Sequence, residues 1–177
     1  TDPISSGALA TIWSIAVHAA TFCFSCSGSI RVVWFGDEEI GGLGGEAYAK
    51  AHAGERHATA SESDFGADRV WRVETNFAAP AKAIGDRLAV ALQPLGIVRG
   101  TGTAGDGTDI APVVRTGVAG VDLNQSGLRY FDYHHTPEDT LDRIDPEQLK
   151  QNVAAWTAML QIVANAPEEI GSVPSRP

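Results

Sequence analysis

The chain predicts an α/β sandwich, and three observations carry that prediction. Short β-branched runs alternate with segments of helical spacing that carry helix caps, the pattern of a sheet covered by helices. The strand-like runs are apolar almost throughout, as in "SIRVVWFG" at 29–36, which suits strands buried on both faces. Acids and histidines gather where those runs stop, in "GDEE" (36–39), "ESDFG" (62–66) and "YFDYHHTPEDTLDRID" (130–145). With 177 residues, no repeat and no linker-like stretch, one domain spanning 1–177 is expected.

Taken in order, "GALATIWSIAVHAATF" reads as a buried helix within an atypical N-terminal segment, residues 1–28. Ser29–Asp37 reads as a buried strand and "GEAYAKAHAG" (45–54) as a short helix closed by glycine. "RHATASESDFG" (56–66) predicts a second strand ending at Asp64, and the alternation of "RVWRVETNF" (69–77) an edge strand or ribbon. "PAKAIGDRLAVALQPLG" (80–96) opens on proline and spaces Ile84, Leu88, Ala91, Leu92 and Leu95 as one helical face. "GTGTAGDGTD" (100–109) is a glycine-rich loop, "IAPVVRTG" (110–117) a helical turn and "VAGVDLNQ" (118–125) another buried strand. A long helix over 145–166 follows, capped by Asp145 with Pro146 at its first position. Its expected apolar face is Leu149, Val153, Trp156, Leu160 and Val163, and residues 167–177 are expected to be a loose tail.

The composition excludes some partners. A formal charge of −9 offers no basic surface for phosphates, so a nucleic-acid partner is not expected. Residues 4–30 lack Asp, Glu, Lys and Arg, a length that could span a bilayer. Ser, Thr, Gly and His18 interrupt that stretch and no basic flank precedes it, so neither a membrane span nor a signal peptide is expected. Cys23 and Cys26, a lone C-x-x-C in an apolar stretch, read as buried thiols rather than a metal or redox pair. His18, midway in the expected helix, reads as a core or helix-surface histidine.

Adjacent carboxylates can serve one site only where a strand has ended and its backbone turns, because strand side chains alternate in direction. The triplet Asp37-Glu38-Glu39 has that position. Mixed Asp, Glu and His donors from separate loops are the ligand set of hydrolytic metal sites, which also need a carboxylate base beside the reacting water. "DEE" offers such a base and a ligand from neighbouring positions. "HHTPEDT" offers an imidazole, with Asp139 four residues on as a carboxylate to orient it.

These pieces stand in a familiar order. From about Ile30 to Ala164 the chain resembles the di-zinc exopeptidases of metallopeptidase clan MH, which include bacterial aminopeptidases, glutamate carboxypeptidase and, standing nearest, carboxypeptidase Q. The resemblance is carried by "VVWFGDEEIGGLGGEAYAKAH", "SESDFG", "LQPLGI", "GDGTDIAPVVRTGVAGVDL" and "YFDYHHTPEDTLDRIDPEQL". It implies a three-layer sandwich with a mixed, mostly parallel sheet, and hydrolysis of peptides or dipeptides by a water activated at zinc. It further implies that Glu38 is the general base and that Glu39, Asp64 and His135 are zinc ligands, Glu62 being the alternative to Asp64. His134 would neighbour the substrate or pack beside the ligand, and Asp109 would shape the substrate pocket or its loop. An exported or periplasmic protein and a homo-oligomer are the corresponding expectations for compartment and assembly.

The chain departs from that pattern upstream. The family's first ligand, a His-x-Asp histidine, has no counterpart, and Asp2 stands about where the bridging Asp would lie, followed by Pro3 instead of the usual Asp-Asp pair. A catalytic domain incomplete at its N-terminus is therefore expected, holding one or two zinc ions at partial occupancy, at the Glu39 and His135 position first. The rival reading is a non-catalytic member of the fold that binds a peptide or a metal. A small-molecule amide hydrolase is the third.

Overall fold

The computed structural model describes residues 13–18, as backbone, and 29–174. Strands β1 (Trp13–His18) and β2 (Ser29–Val33) come first, followed by α1 (Leu43–Ala51), β3 (His57–Ser63) and β4 (Val70–Thr75). Then come α2 (Lys82–Leu92), β5 (Val98–Arg99), α3 (Ala111–Val114), β6 (Ala119–Gln125), α4 (Tyr130–Tyr133) and α5 (Pro146–Ala164). The strands form one sheet in the order β2-β1-β3-β6-β4-β5.

The sheet is mixed, as expected, but not mostly parallel among the described residues. β3 with β6 and β4 with β5 are parallel, whereas β1 with β2, β1 with β3 and β4 with β6 are antiparallel. A parallel crossover needs a dozen or more connecting residues. Only residues 19–28 join β1 to β2, which favours the antiparallel pairing.

The helix expected at the N-terminus is corrected at Trp13–His18, which is a strand. Its backbone pairs on both sides, Ser14 to His18 with β2 and Trp13 to His18 with β3, and two ladders outweigh a local helical spacing. Asp2, Cys23 and Cys26 lie outside the described residues. β2 is an edge strand, with Ile30 and Val32 partly open to solvent, rather than the buried strand its apolar run suggests. Conversely β4, read as an edge or ribbon, lies inside the sheet with Val70 and Val73 buried, and the two-residue β5 forms that edge.

Helices flank the sheet. α2 and α5 pack on one another and supply most of the larger core: Ile84, Leu88 and Leu92 meet Ala155, Met159 and Val163 over Val73, Val121 and Leu123. Full burial of such a Leu or Ile contributes about 1.5–3 kcal/mol. α1 packs against α3, where Ile110 and Val114 cluster with Ala60 and partly buried Phe35.

Asp145 caps α5 by accepting from the Glu147 and Gln148 N–H groups, at 2.9 and 3.3 Å. The face it buries is rotated from the expected one. Gln151, Asn152, Ala155, Met159 and Val163 point inward, while Leu149 and Val153 are exposed. Gln151 takes the Val70 N–H at 2.9 Å and donates to the Val70 carbonyl at 2.7 Å. Asn152 donates to the Asp68 carbonyl at 2.8 Å and accepts from Gln125 at 2.9 Å. Buried amides are tolerated when they are hydrogen-bonded in this way, and here they tie α5 to the start of β4.

The tail is not loose over 167–174. Glu168 takes both terminal nitrogens of Arg87 at 2.6 Å, Glu169 pairs with Arg56 at 2.6 Å, and Ile170 enters the core. The Val173 N–H donates to the Gly117 carbonyl at 2.9 Å. Among the described residues no helix is long and apolar enough to cross a membrane.

Candidate active site

The chain leaves β2 and folds back sharply before α1. Asp37 has φ 61°, a left-handed conformation that non-glycine residues seldom adopt and that recurs at functional sites. The Glu38 carbonyl accepts the Gly41 and Gly42 N–H groups at 3.2 and 2.9 Å, which closes the turn around the two glutamates. α1 then passes so close to the 100–109 loop that a Cβ on Gly45 would lie 2.3 Å from the Asp109 carbonyl oxygen. Only glycine permits that backbone-to-backbone approach. The glycines after the acid triplet therefore serve to dock one loop of the site on the other.

The acid pair and the histidine pair meet across this junction. His135 Nε2 lies 2.5 Å from Glu39 Oε1, with both side chains more than half exposed. His135 is the second non-glycine residue at positive φ, 59°. Its ring leans on His134, centroids 3.6 Å apart, and His134 in turn stacks on Tyr130 at 4.6 Å. Tyr130 stacks on Phe65 at 4.0 Å, so a column of four rings runs from the end of β3 to His135. His134, expected to neighbour substrate or pack beside the ligand, is a packing member of this column. Asp139 makes a turn with the Thr136 carbonyl at 3.1 Å, and its charge acts on Tyr130.

Asp64 faces the same spot from the end of β3. Burial raises its pKa first, the Glu39 charge raises it further, and His134 opposes both. Glu38 is likewise held above the ordinary carboxylate range, by burial and then by the Glu39 and Asp64 charges. The Thr108 side chain and the neighbouring His135 pull it back. Asp109 is fully buried and neither carboxyl oxygen has a hydrogen-bond partner among the described residues. Burial, then Glu62, Glu38 and Asp64, push its pKa to about 7. Asp109 thus lies buried beneath the site, within the glycine-rich loop. Glu38, Glu39, Asp64 and His135 are brought together; Asp2 lies outside the described residues.

Glu62, the alternative ligand, is occupied elsewhere. Its carboxylate accepts the N–H groups of Thr108, Asp109 and Ile110, each at 2.9 Å. Beside it a cleft of about 330 Å³ opens between the end of β3, the 105–110 loop and β6, lined by Asp64, Phe65, Gly107, Thr108, Asp122 and Asn124 among others. Carboxyl ends of strands are where α/β sheets usually hold ligands.

Carboxylate and imidazole donors are the set that zinc accepts, and like charges that raise one another's pKa are relieved by a cation. The donors fit zinc in kind and in charge. Among the described residues, however, no group of three His, Cys, Asp or Glu side chains stands in an arrangement that would hold a metal ion. Glu39 and His135 form a two-donor pair, with Asp64 acting on Glu39 through its charge.

Sequence reasoning named Glu62 only as an alternative ligand, and it missed the hold of Glu62 on the 108–110 backbone, Thr108 and the ring column. The glycines of "GDGTD" were the available signal for the first two, since a loop that tight implies something approaching its backbone.

The chain is similar to known proteins over most of its length. A family model described as Peptidase family M28 matches residues 5–160. Carboxypeptidase Q from Bos taurus and from Homo sapiens are each 31% identical over 142 residues, 79% of this chain. The chain spans 30% of the length of each of those relatives. The crystal structure of a Peptidase M28 precursor from Shewanella amazonensis SB2B superposes with a TM-score of 0.77 at 40% identity, covering 83% of this chain and 34% of that one.

Proposed function

Because the chain belongs to peptidase family M28, we propose that it acts as a zinc-dependent exopeptidase on peptides or dipeptides, with Glu38 as its general base. The observation that carries this reading is the convergence of Glu38, Glu39, Asp64 and His135, from three separate segments, around the 2.5 Å contact of Glu39 with His135. Glu39 and His135 are the proposed holders of zinc, with Asp64 toward a second ion. Bound zinc supplies Lewis acidity, polarising the scissile carbonyl and lowering the pKa of water.

The rest of the chemistry falls to the chain itself. Glu38, its pKa raised by burial and by neighbouring acids, is suited to take a proton from the attacking water and deliver it to the leaving amine. The ring column from Phe65 to His134 orients the His135 imidazole, and the strained Asp37 aims the two glutamates. The cleft beside Asp64 offers room for the residue next to the scissile bond.

Glu38→Gln is expected to lower kcat by roughly 10²–10⁴-fold, the range for loss of a general base, while zinc content stays near that of the wild type. Dipeptides and aminoacyl-nitroanilides with added zinc provide the assay. Undiminished turnover in the variant would remove Glu38 from the role. No turnover by the wild-type chain on either substrate class would favour the rival reading, a non-catalytic peptide- or metal-binding member of the fold.

A further inference from the structure

We propose that Glu62 is a positioning residue: its carboxylate clamps the 108–110 backbone and so seats the Thr108 side chain against Glu38. The inference rests on the peptidase reading for its catalytic part and on geometry for the clamp. Glu62 belongs to β3, two residues before Asp64, yet its two oxygens take three consecutive N–H groups, from Thr108, Asp109 and Ile110, all at 2.9 Å. Three N–H donors on one carboxylate form a nest, which fixes a loop far more firmly than a single bond does.

The loop is shaped to receive it. Gly107 has φ +66°, and a Cβ there would lie 2.5 Å from Glu62 Oε2. From the other side the same loop is held by α1, through the contact of Gly45 with the Asp109 carbonyl. Segment 108–110 is therefore gripped between β3 and the helix that follows the Glu38-Glu39 turn. Thr108 opens that segment, which α1 holds next to the Glu38-Glu39 turn, and its side chain acts on Glu38. Glu62 thus acts on the proposed base through the loop, without touching it.

Glu62→Gln keeps the size of the side chain but replaces one acceptor oxygen with a donor NH2, so at least one of the three N–H groups loses its partner. Two readouts test the proposal. Hydrogen exchange of the Thr108, Asp109 and Ile110 amides in the full chain is expected to quicken by roughly tenfold in Glu62→Gln while the helix α5 amides stay protected. On dipeptides, kcat is expected to fall by about tenfold with KM within about twofold, the scale of losing a supporting contact. Thr108→Val, an exposed site that should not disturb folding, is expected to show the same kcat loss with normal loop exchange, and Thr108→Ser to restore most of it.

Unchanged exchange at 108–110 in folded Glu62→Gln would overturn the clamp. Faster exchange with unchanged kcat, or Thr108→Val with wild-type kcat, would overturn the positioning role. If Glu62→Gln does not fold, the two Thr108 variants decide. A wild-type chain without turnover would sink the peptidase reading alone, and the exchange experiment would still settle the clamp.

Discussion

Strand β3 joins two poles built on opposite electrostatic plans. At its entry, Arg31 donates to the Tyr48 hydroxyl at 3.1 Å and to Glu55 at 2.9 Å, and lies 3.0 Å from His52 Nδ1. Tyr48 also meets His57 Nε2 at 2.9 Å, and His52 meets Glu55 at 2.7 Å. Each titratable group there faces a hydrogen-bonding or oppositely charged neighbour. At the exit, Glu38, Asp64 and Asp109 each have a pKa raised by burial and then by the charges of neighbouring carboxylates. One end of the strand resolves its electrostatics internally. The other accumulates repulsion that a cation would relieve, and such unresolved charge is the mark of a functional site.

The largest expected effect tests that contrast at the proposed metal site. His135→Ala removes one of the two paired donors, and zinc affinity measured by calorimetric titration is expected to fall by at least tenfold, toward a hundredfold or more. The wild-type chain is expected to bind zinc weakly and below full occupancy, because stable protein sites usually have three or four ligands. Two tight sites in the wild type, or wild-type affinity in the variant, would mean that other donors fill the role.

Next in size is the acid beneath the site. Asp109 has a folded pKa of about 7, well above the usual aspartate value of about 4. A group that binds its proton more tightly when folded adds most stability below its unfolded pKa, and that stability is lost as pH rises to its folded pKa. Metal-free protein should therefore be less stable at pH 8 than at pH 5. Only about two pH units lie between pH 5 and the folded pKa, which caps the difference between pH 5 and pH 8 at about 3 kcal/mol, and relaxation of the site should leave about half of that. Asp109→Asn should flatten much of the slope and raise stability at pH 8. Glu38, Glu62 and Asp64, also raised, keep a remainder. Urea unfolding at both pH values checks it; equal wild-type stability at pH 5 and 8 would contradict the reading.

How much of this was legible in the sequence follows the range of each interaction. The family resemblance picked out Glu38, Glu39, Asp64 and His135, and each stands at a strand end or in a short motif that carries its own turn chemistry. The caps of α5 were legible for the same reason: Asp145 and Pro146 act on the next three residues. The buried face of α5 was not, because hydrophobic spacing ranks Leu149 and Val153 above Gln151 and Asn152. The backbone of β4, some 80 residues away in sequence, reverses that order by offering the two amides full hydrogen bonding. The Glu62 clamp is hidden likewise, since its partners lie 46 to 48 residues downstream. At Trp13–His18 the pairing of β1 with two neighbours overrode local spacing.

The smallest expected effect lies at the balanced pole and sharpens the comparison by being silent in function. Tyr48→Phe removes one hydroxyl that serves both Arg31 and His57, and leaves the ring contacts to Phe35, His52 and His57 in place. Partly buried hydrogen bonds of this kind contribute about 1 kcal/mol net, so the urea midpoint should fall slightly. Zinc binding and kcat/KM should not move, because Tyr48 and its partners lie at the entry of β3 while every proposed catalytic group lies beyond its exit. If the variant lost turnover in proportion to its lost stability, the two poles would be coupled through β3 and α1. The contrast between them would then describe one cooperative network, and the raised pKa values at the acidic end would owe part of their size to the far end of the strand.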